Sequence, residues 1–174
     1  MANIEGFIPH LGTTAANPAL KNLIEASGLK PLKLNTRADA GRIDSVNKKQ
    51  GCNIVYKKRE GKLAKGYFDR FLFTTIFFYN ENGHGYSQFS GTLPFQIKFD
   101  DDRSQILDKI GIAPSFIRFD WQEKDVIAMD RWDFETYSLA IDYWDNGKTI
   151  STGIVMSPWL RRDELWSSDY VPRV

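Results

Sequence analysis

Carboxylates crowd the stretch from Asp100 to Glu135, including Asp100, Asp101, Asp102, Asp120, Glu123, Asp125, Asp130, Asp133 and Glu135. Paired acids can hydrolyse glycosides, or hold a hard divalent cation through oxygen. Nothing in this spacing demands either use, because carboxylates also occupy exposed strand positions and helix starts. Other reactive types are sparse. His10 and His84 lie far apart, neither in a pair spaced for metal. Cys52 sits inside an apolar run, where a small core residue is expected. A nucleophilic thiolate would need a basic neighbour. Gly83-His84-Gly85 is too short for a nucleotide loop, and no phosphate-binding loop, dinucleotide fingerprint or Gly-x-Ser-x-Gly elbow is present. The residue types therefore point to a protein with no catalytic site, no metal and no cofactor.

Basic residues gather elsewhere, at Lys48, Lys49, Lys57, Lys58, Arg59, Lys62 and Lys65, with Tyr56 and Tyr67 among them. This segment, 48–65, can contact phosphates and stack on bases, so a nucleic-acid-binding or regulatory module is the alternative reading. A solvated hairpin tip accounts for the same residues. Residues 1–66 hold twelve Lys and Arg against five Asp and Glu, a formal +7. Residues 67–174 hold eleven against seventeen, a formal −6. Such a division marks an electrostatic partner, or two halves that lie side by side and attract each other.

Aromatic residues stand among the acids in Phe119-Asp120-Trp121-Gln122-Glu123-Lys124-Asp125 and in Tyr143-Trp144-Asp145. Aromatics rimmed by charge anchor many protein interfaces. The candidate partner-binding residues are accordingly Asp100, Asp101, Asp102, Asp120, Trp121, Glu123, Asp125, Trp144 and Asp145. Trp121 and Trp144 can equally cover a sheet edge.

The elements that must position these residues are readable in outline. Asn17 caps a first helix, Pro18 fits its first turn, and Leu20, Leu23 and Ile24 share a face. Gly28 ends it and Pro31 follows. Residues 33–50 are polar and basic, and read as a loop or frayed edge. Residues 52–57 read as a strand, and Phe68 to Tyr79 as a central strand covered on both faces. A short strand is expected from Tyr86 to Gly91. A second helix starts near Asp101 or Asp102, buries Ile106, Leu107 and Ile110, and closes at Gly111. Strands follow near Phe116 to Phe119, Val126 to Trp132, Tyr137 to Tyr143 and Ile150 to Met156. Asp145-Asn146-Gly147 is a hairpin turn. The tail, 159–174, is expected to pack back through Leu160, Trp166 and Tyr170.

The order helix, Gly, Pro, polar segment, strand, turn, strand occurs twice, over 17–79 and 101–156. Two such degenerate repeats would build one antiparallel meander sheet with helices on one face. The fold class is α+β, in a single domain spanning 1–174. That length can bury a core without staples. One cysteine makes no internal disulfide. Met1 to Gly6 has no signal-peptide character and no apolar run approaches the ~20 residues of a membrane span, so a cytoplasmic protein is expected.

Several phrases resemble a known group. They are Phe89-Ser90-Gly91-Thr92-Leu93-Pro94-Phe95-Gln96-Ile97-Lys98-Phe99, then Asp102-Arg103-Ser104, Lys109-Ile110-Gly111, Asp130-Arg131-Trp132-Asp133, Tyr137-Ser138-Leu139 and Ile154-Val155-Met156-Ser157-Pro158. Together they resemble small bacterial immunity proteins encoded with polymorphic toxins. The resemblance covers about residues 85–158. It implies a stoichiometric inhibitor of a cognate toxin domain delivered by contact-dependent inhibition or type VI secretion, with no cofactor. Many such toxins are nucleases with basic clefts, which an acidic surface can enter. Homodimerisation through an exposed strand edge is compatible with this role.

Overall fold

The computed structural model describes residues 4–32, 41–59, 68–81, 83–121, 124–144 and 149–158. The expected turn at Asp145-Asn146-Gly147 and the tail 159–174 lie outside them. After a 3-10 helix at Ile4–His10 come α1 (Pro18–Ala26), β1 (Arg42–Asn47), β2 (Cys52–Lys58) and β3 (Phe71–Tyr79). Then follow α2 (Arg103–Ile110), β4 (Ser115–Trp121), β5 (Lys124–Asp133), β6 (Tyr137–Trp144) and β7 (Thr149–Pro158). The strands form one antiparallel sheet in the order β1-β2-β3-β7-β6-β5-β4. The fold is α+β, as expected. Each half is a helix followed by a meander, and the two meanders meet at their last strands.

The helix ends obey local rules. The Asn17 carboxamide oxygen accepts from the Ala19 and Leu20 amides, at 2.9 and 3.1 Å. Asp102 caps α2 in a reciprocal box with Gln105. Gly28 and Gly111 take left-handed φ of 70° and 69° just past the helix ends.

Pairing register decides which side chains share a face. Ile43 opposes Tyr56, Cys52 opposes Phe78, and Ile54 opposes Ile76. Leu139 opposes Trp132, and Ile141 opposes Asp130. These residues line one face, which packs with Leu20 and Ile24 of α1, Ile106 and Ile110 of α2, and Phe7 of the N-terminal 3-10 helix in a single core. β3 is covered on both faces: Phe73 and Ile76 enter this core, and Leu72 on the reverse face is also fully buried.

β3 is also bonded along both edges. One edge pairs with β2. On the other edge, β7 pairs only with Ile76–Tyr79. The remaining length is taken by the N-terminal segment: Gly12 donates to Phe73 O at 2.8 Å, Phe73 to Thr13 O at 2.9 Å, and Ala15 to Phe71 O at 2.8 Å.

Two expectations are corrected. Part of the stretch read as a loop or frayed edge, 42–47, is the regular edge strand β1. Its inward residues are Ile43, Ser45 and Asn47, so the apolar alternation is interrupted. The polar pair is satisfied by α1's exit: Ser45 Oγ donates to Lys30 O, and the Lys30 amide donates to Asn47 Oδ1. Tyr86 to Gly91 is not a strand. Its amides bond irregularly, Ser87 to Lys48 O and Phe89 to Tyr79 O, as the segment crosses Gly51.

Gly51 has φ of 67°, and a Cβ there would collide with the Ser87 carbonyl and the Phe89 amide, both backbone. At Gly111 a Cβ would meet nothing within 4 Å. Gly111→Ala therefore carries only the left-handed penalty, about 1–2 kcal/mol. Gly51→Ala must also move a chain crossing, and is expected to lower the urea midpoint well beyond Gly111→Ala. Equal midpoints would show that the crossing yields freely.

Candidate functional site

The sheet order converts the charge division of the sequence into a division in space. β1 and β2 carry the exposed or half-buried Arg42, Lys57 and Lys58, with Lys48 and Lys49 between them. β5, β6 and α2 stand at the opposite end. With strands about 4.8 Å apart, the outermost strands are separated by about 29 Å. That exceeds three Debye lengths of about 8 Å at physiological salt. The two ends therefore do not neutralise each other.

At the acidic end, ion pairs decide which carboxylates are available. Asp130 is fully buried on the core face, where Arg103 grips it with two bonds, Nε to Oδ2 at 2.6 Å and Nη2 to Oδ1 at 3.0 Å. This hydrogen-bonded pairing raises Arg103 further above its ordinary range. Burial, followed by the Asp130 charge, pushes the nearby Tyr143 phenol up. Asp101 is 6% exposed; its Oδ2 accepts from the Lys98 amide and pairs with Lys109 at 2.5 Å. Asp133 pairs with Arg131 at 2.8 Å and accepts from Ser138. Burial alone would raise the Asp133 carboxyl, but the Ser138 hydroxyl and Arg131 outweigh it and hold it low.

Three cations are thus committed to three fixed acids. Asp100, Asp102, Asp108 and Glu135 remain exposed and make no ion pair among the described residues. Asp102 keeps its helix-capping task. A neighbouring turn is pinned from both sides: Phe95 and Gln96 sit at φ of 56° and 55°, a strained region for such residues. Phe95 stacks on Phe134 at 5.4 Å, and Phe134 on Tyr137 at 4.8 Å. Lys109 Nζ donates to Gln96 O at 3.1 Å.

The candidate residues read from sequence fare unevenly. Asp100 and Asp102 are exposed as a partner surface requires. Asp101 leaves that set, because its carboxylate is buried and bonded internally. Asp120 and Trp121 lie near the end of β4, Asp125 at the start of β5, and Trp144 at the end of β6. Asp120 opposes Asp125 in register, and Trp121 opposes Lys124. Glu123 and Asp145 lie outside the described residues. Asp108 and Glu135 fall within the acidic stretch from Asp100 to Asp145 but not among the individually named candidates. Helical spacing places Asp108 opposite Ile106 and Ile110, which could have flagged it.

The basic end differs from the sequence picture too. Tyr56, offered as a base-stacking platform, is buried in the core at 1% exposure. Tyr86 is the aromatic beside a lysine: it stacks on Tyr79 at 3.9 Å, and Lys48 Nζ lies 5.9 Å from its ring centre. Asp44 beneath accepts two bonds from Arg42 and one from Asn53. Burial alone would raise Asp44, but these partners hold it below the usual carboxylate range. Lys62, Lys65 and Tyr67 lie outside the described residues.

Cys52 is completely buried, and burial pushes its thiol up to about 12. Among the described residues, no three His, Cys, Asp or Glu side chains come together as metal ligands. No described helix is long and apolar enough to cross a membrane. Comparison with protein-family models, curated proteins and solved structures gave no match.

Two measurements check this assignment of groups. Asp130→Asn leaves Arg103 facing an uncharged partner and should cost about 3–5 kcal/mol in urea unfolding, against about 1 kcal/mol or less for Asp133→Asn. Comparable losses would refute the division into structural and surface acids. Cys52 should resist a thiol reagent such as dithionitrobenzoate at pH 8 until urea unfolds the chain. Prompt labelling of the folded protein would contradict its burial.

Proposed function

We propose that this protein acts by binding, as an immunity protein that neutralises a basic toxin domain in the cytoplasm and performs no reaction of its own. One observation carries the proposal. At the β5–β6 end, Arg103, Lys109 and Arg131 are each committed to an acid, while among the described residues Asp100, Asp108 and Glu135 are left exposed without an ion pair, against the exposed Lys98. A standing negative field of this kind speeds association with a basic surface and disfavours acidic ones. A nuclease active site is such a basic surface, because it holds phosphates. The motif resemblance over residues 85–158 supports the same reading. That stretch contains Asp100 ahead of α2, Asp108 on α2 and Glu135 between β5 and β6. The resemblance names no binding residues, so the exposed acids supply them.

Affinity capture from the source cells tests the proposal. A stoichiometric basic toxin fragment, released at high salt, is expected. The same fragment expressed alone should arrest growth, and co-expression of this protein should relieve the arrest. A variant carrying Asp100→Lys, Asp108→Lys and Glu135→Lys should associate about 10–100-fold more slowly. Neutralisation undiminished by the triple reversal would refute the acidic surface. Retention of nucleic acid through Lys48 and Lys49, in place of a toxin, would favour the nucleic-acid alternative.

A further inference from the structure

An open sheet has two edges, and the outermost strand of the basic end, β1, forms one of them. We propose that β1 is a self-pairing edge, and that two copies of the protein join there about a two-fold axis through Ile43 into one continuous antiparallel sheet. The acidic end of each copy stays free, about 29 Å away, so this goes beyond the proposed function and does not depend on it.

The backbone of β1 shows which groups are available. The Lys58 amide donates to Gly41 O at 2.8 Å, so Gly41 is turned toward β2. Antiparallel pairs alternate between bonded and non-bonded positions, and the β1–β2 register runs unbroken from Arg42 to Asn47. Ile43, Ser45 and Asn47 therefore spend their amides and carbonyls on β2. Arg42, Asp44 and Val46 turn theirs outward, where no backbone bond reaches them among the described residues. Lys30 bonds only to the inward side chains of Ser45 and Asn47, and takes none of these outward groups. Val46 is 43% exposed.

The order of residues selects a second copy as the occupant. Residues 40–46 read Ala-Gly-Arg-Ile-Asp-Ser-Val. An axis at Ile43 sets Arg42 opposite Asp44 of the second copy, Asp44 opposite its Arg42, and Val46 opposite position 40, an alanine. All of Arg42, Asp44 and Val46 bond outward, so this register also brings Arg42 and Asp44 of the two copies together as bonded pairs. Within one copy Arg42 grips Asp44, Nε to Oδ2 at 2.9 Å and Nη2 to Oδ1 at 2.8 Å. Its other N–H groups remain for the Asp44 of the second copy. Pairing thus closes a ring of four charges that alternate in sign. Opposite charges directly across two strands attract, and like charges repel. Charged residues ordinarily blunt a sheet edge; here their spacing admits the chain's own strand. The neighbouring symmetric registers lack this match. An axis at Asp44 sets that acid against itself, and one at Ser45 sets Arg42 against Lys48.

The surrounding lysines do not prevent the pairing. Lys48 lies about 17 Å from the axis along the strand direction, and its copy lies as far on the other side. Lys57 opposes Arg42 on β2, which puts it about 16 Å from its copy. Both separations exceed the Debye length of about 8 Å.

Sedimentation equilibrium of the full chain from about 1 μM to about 1 mM reads the association. A monomer–dimer equilibrium is expected, weak because the edge is short, with a dissociation constant on the order of 100 μM. Amide hydrogen exchange locates it: exchange at Arg42 and Asp44 should slow as the dimer forms. Arg42→Asp and Asp44→Arg each set like charges across the axis, and should weaken the dimer at least about tenfold. Their equimolar mixture sets acids against arginines, and should associate where neither variant does alone, which misfolded chains would not do. The double variant Arg42→Asp/Asp44→Arg restores the alternation and should restore the dimer. A chain that is monomeric at every concentration, or a dimer whose Arg42 and Asp44 amides exchange as before, overturns the proposal. So do single reversals without effect, and a mixture that stays monomeric. Growth past the dimer into open chains also overturns it, because a two-fold interface closes on itself. Toxin neutralisation is a separate readout. Neutralisation undiminished by the triple reversal at the acidic end leaves the dimer standing, and a monomeric chain leaves the proposed function standing.

Discussion

A strand buried on both faces can leave none of its backbone groups unpaired, and β3 is such a strand. Water cannot reach its amides, so each edge must find peptide partners. β2 supplies one edge over nearly its whole length. The other edge is shared between the segment Gly12–Ala15 and the four-residue pairing with β7. That requirement pulls the N-terminal segment and the last described strand onto one seam. Once β7 is seated there, β6, β5 and β4 can only extend away from it, and β1 and β2 extend the other way. The placement of the charged groups on the described strands follows from this.

The separation of charge is therefore a product of topology. Two meanders stacked face to face would have brought the lysines of one half over the acids of the other. Laid edge to edge, they keep them apart beyond the range of screening. Within the acidic end, a finer selection operates. Asp100 and Asp101 are neighbours in sequence, yet one faces solvent and the other is fastened to Lys109 and the Lys98 amide. The internal pairs hold α2 against the sheet and the turn at Gln96 against α2. Among the described residues, Asp100, Asp108 and Glu135 are left exposed and outside these pairs.

Local rules made much of the fold legible. Asn17-Pro18 and Gly28 bound α1, Asp102 and Gly111 bound α2, and the alternation from Tyr137 to Tyr143 marked β6. The helix-and-meander repeat was visible, although the way its copies join was not, since strand order depends on contacts distant in sequence. β1 escaped notice because Ser45 and Asn47 point inward, satisfied by Lys30 from outside the strand. The 3-10 helix at Ile4–His10 holds Gly6 and Pro9, both poor formers of a helix interior, within seven residues. For the candidate site, the acidic character could be read, but the fate of each acid could not.

The seam between β3 and β7 also has a consequence in time. Ile76 pairs with Met156, eighty positions downstream, so the loop that must close is long. Pairings this distant are slow to form, because the chain's freedom is surrendered before any contact rewards it. On the ribosome, α1 and the first meander emerge while β7 is still unmade. Until it arrives, the outer edge of β3 beyond Phe73 is an open template for any passing strand. The nascent chain is therefore exposed to mispairing from the moment β3 emerges until β7 follows, and the residues that complete the seam act as its safeguard.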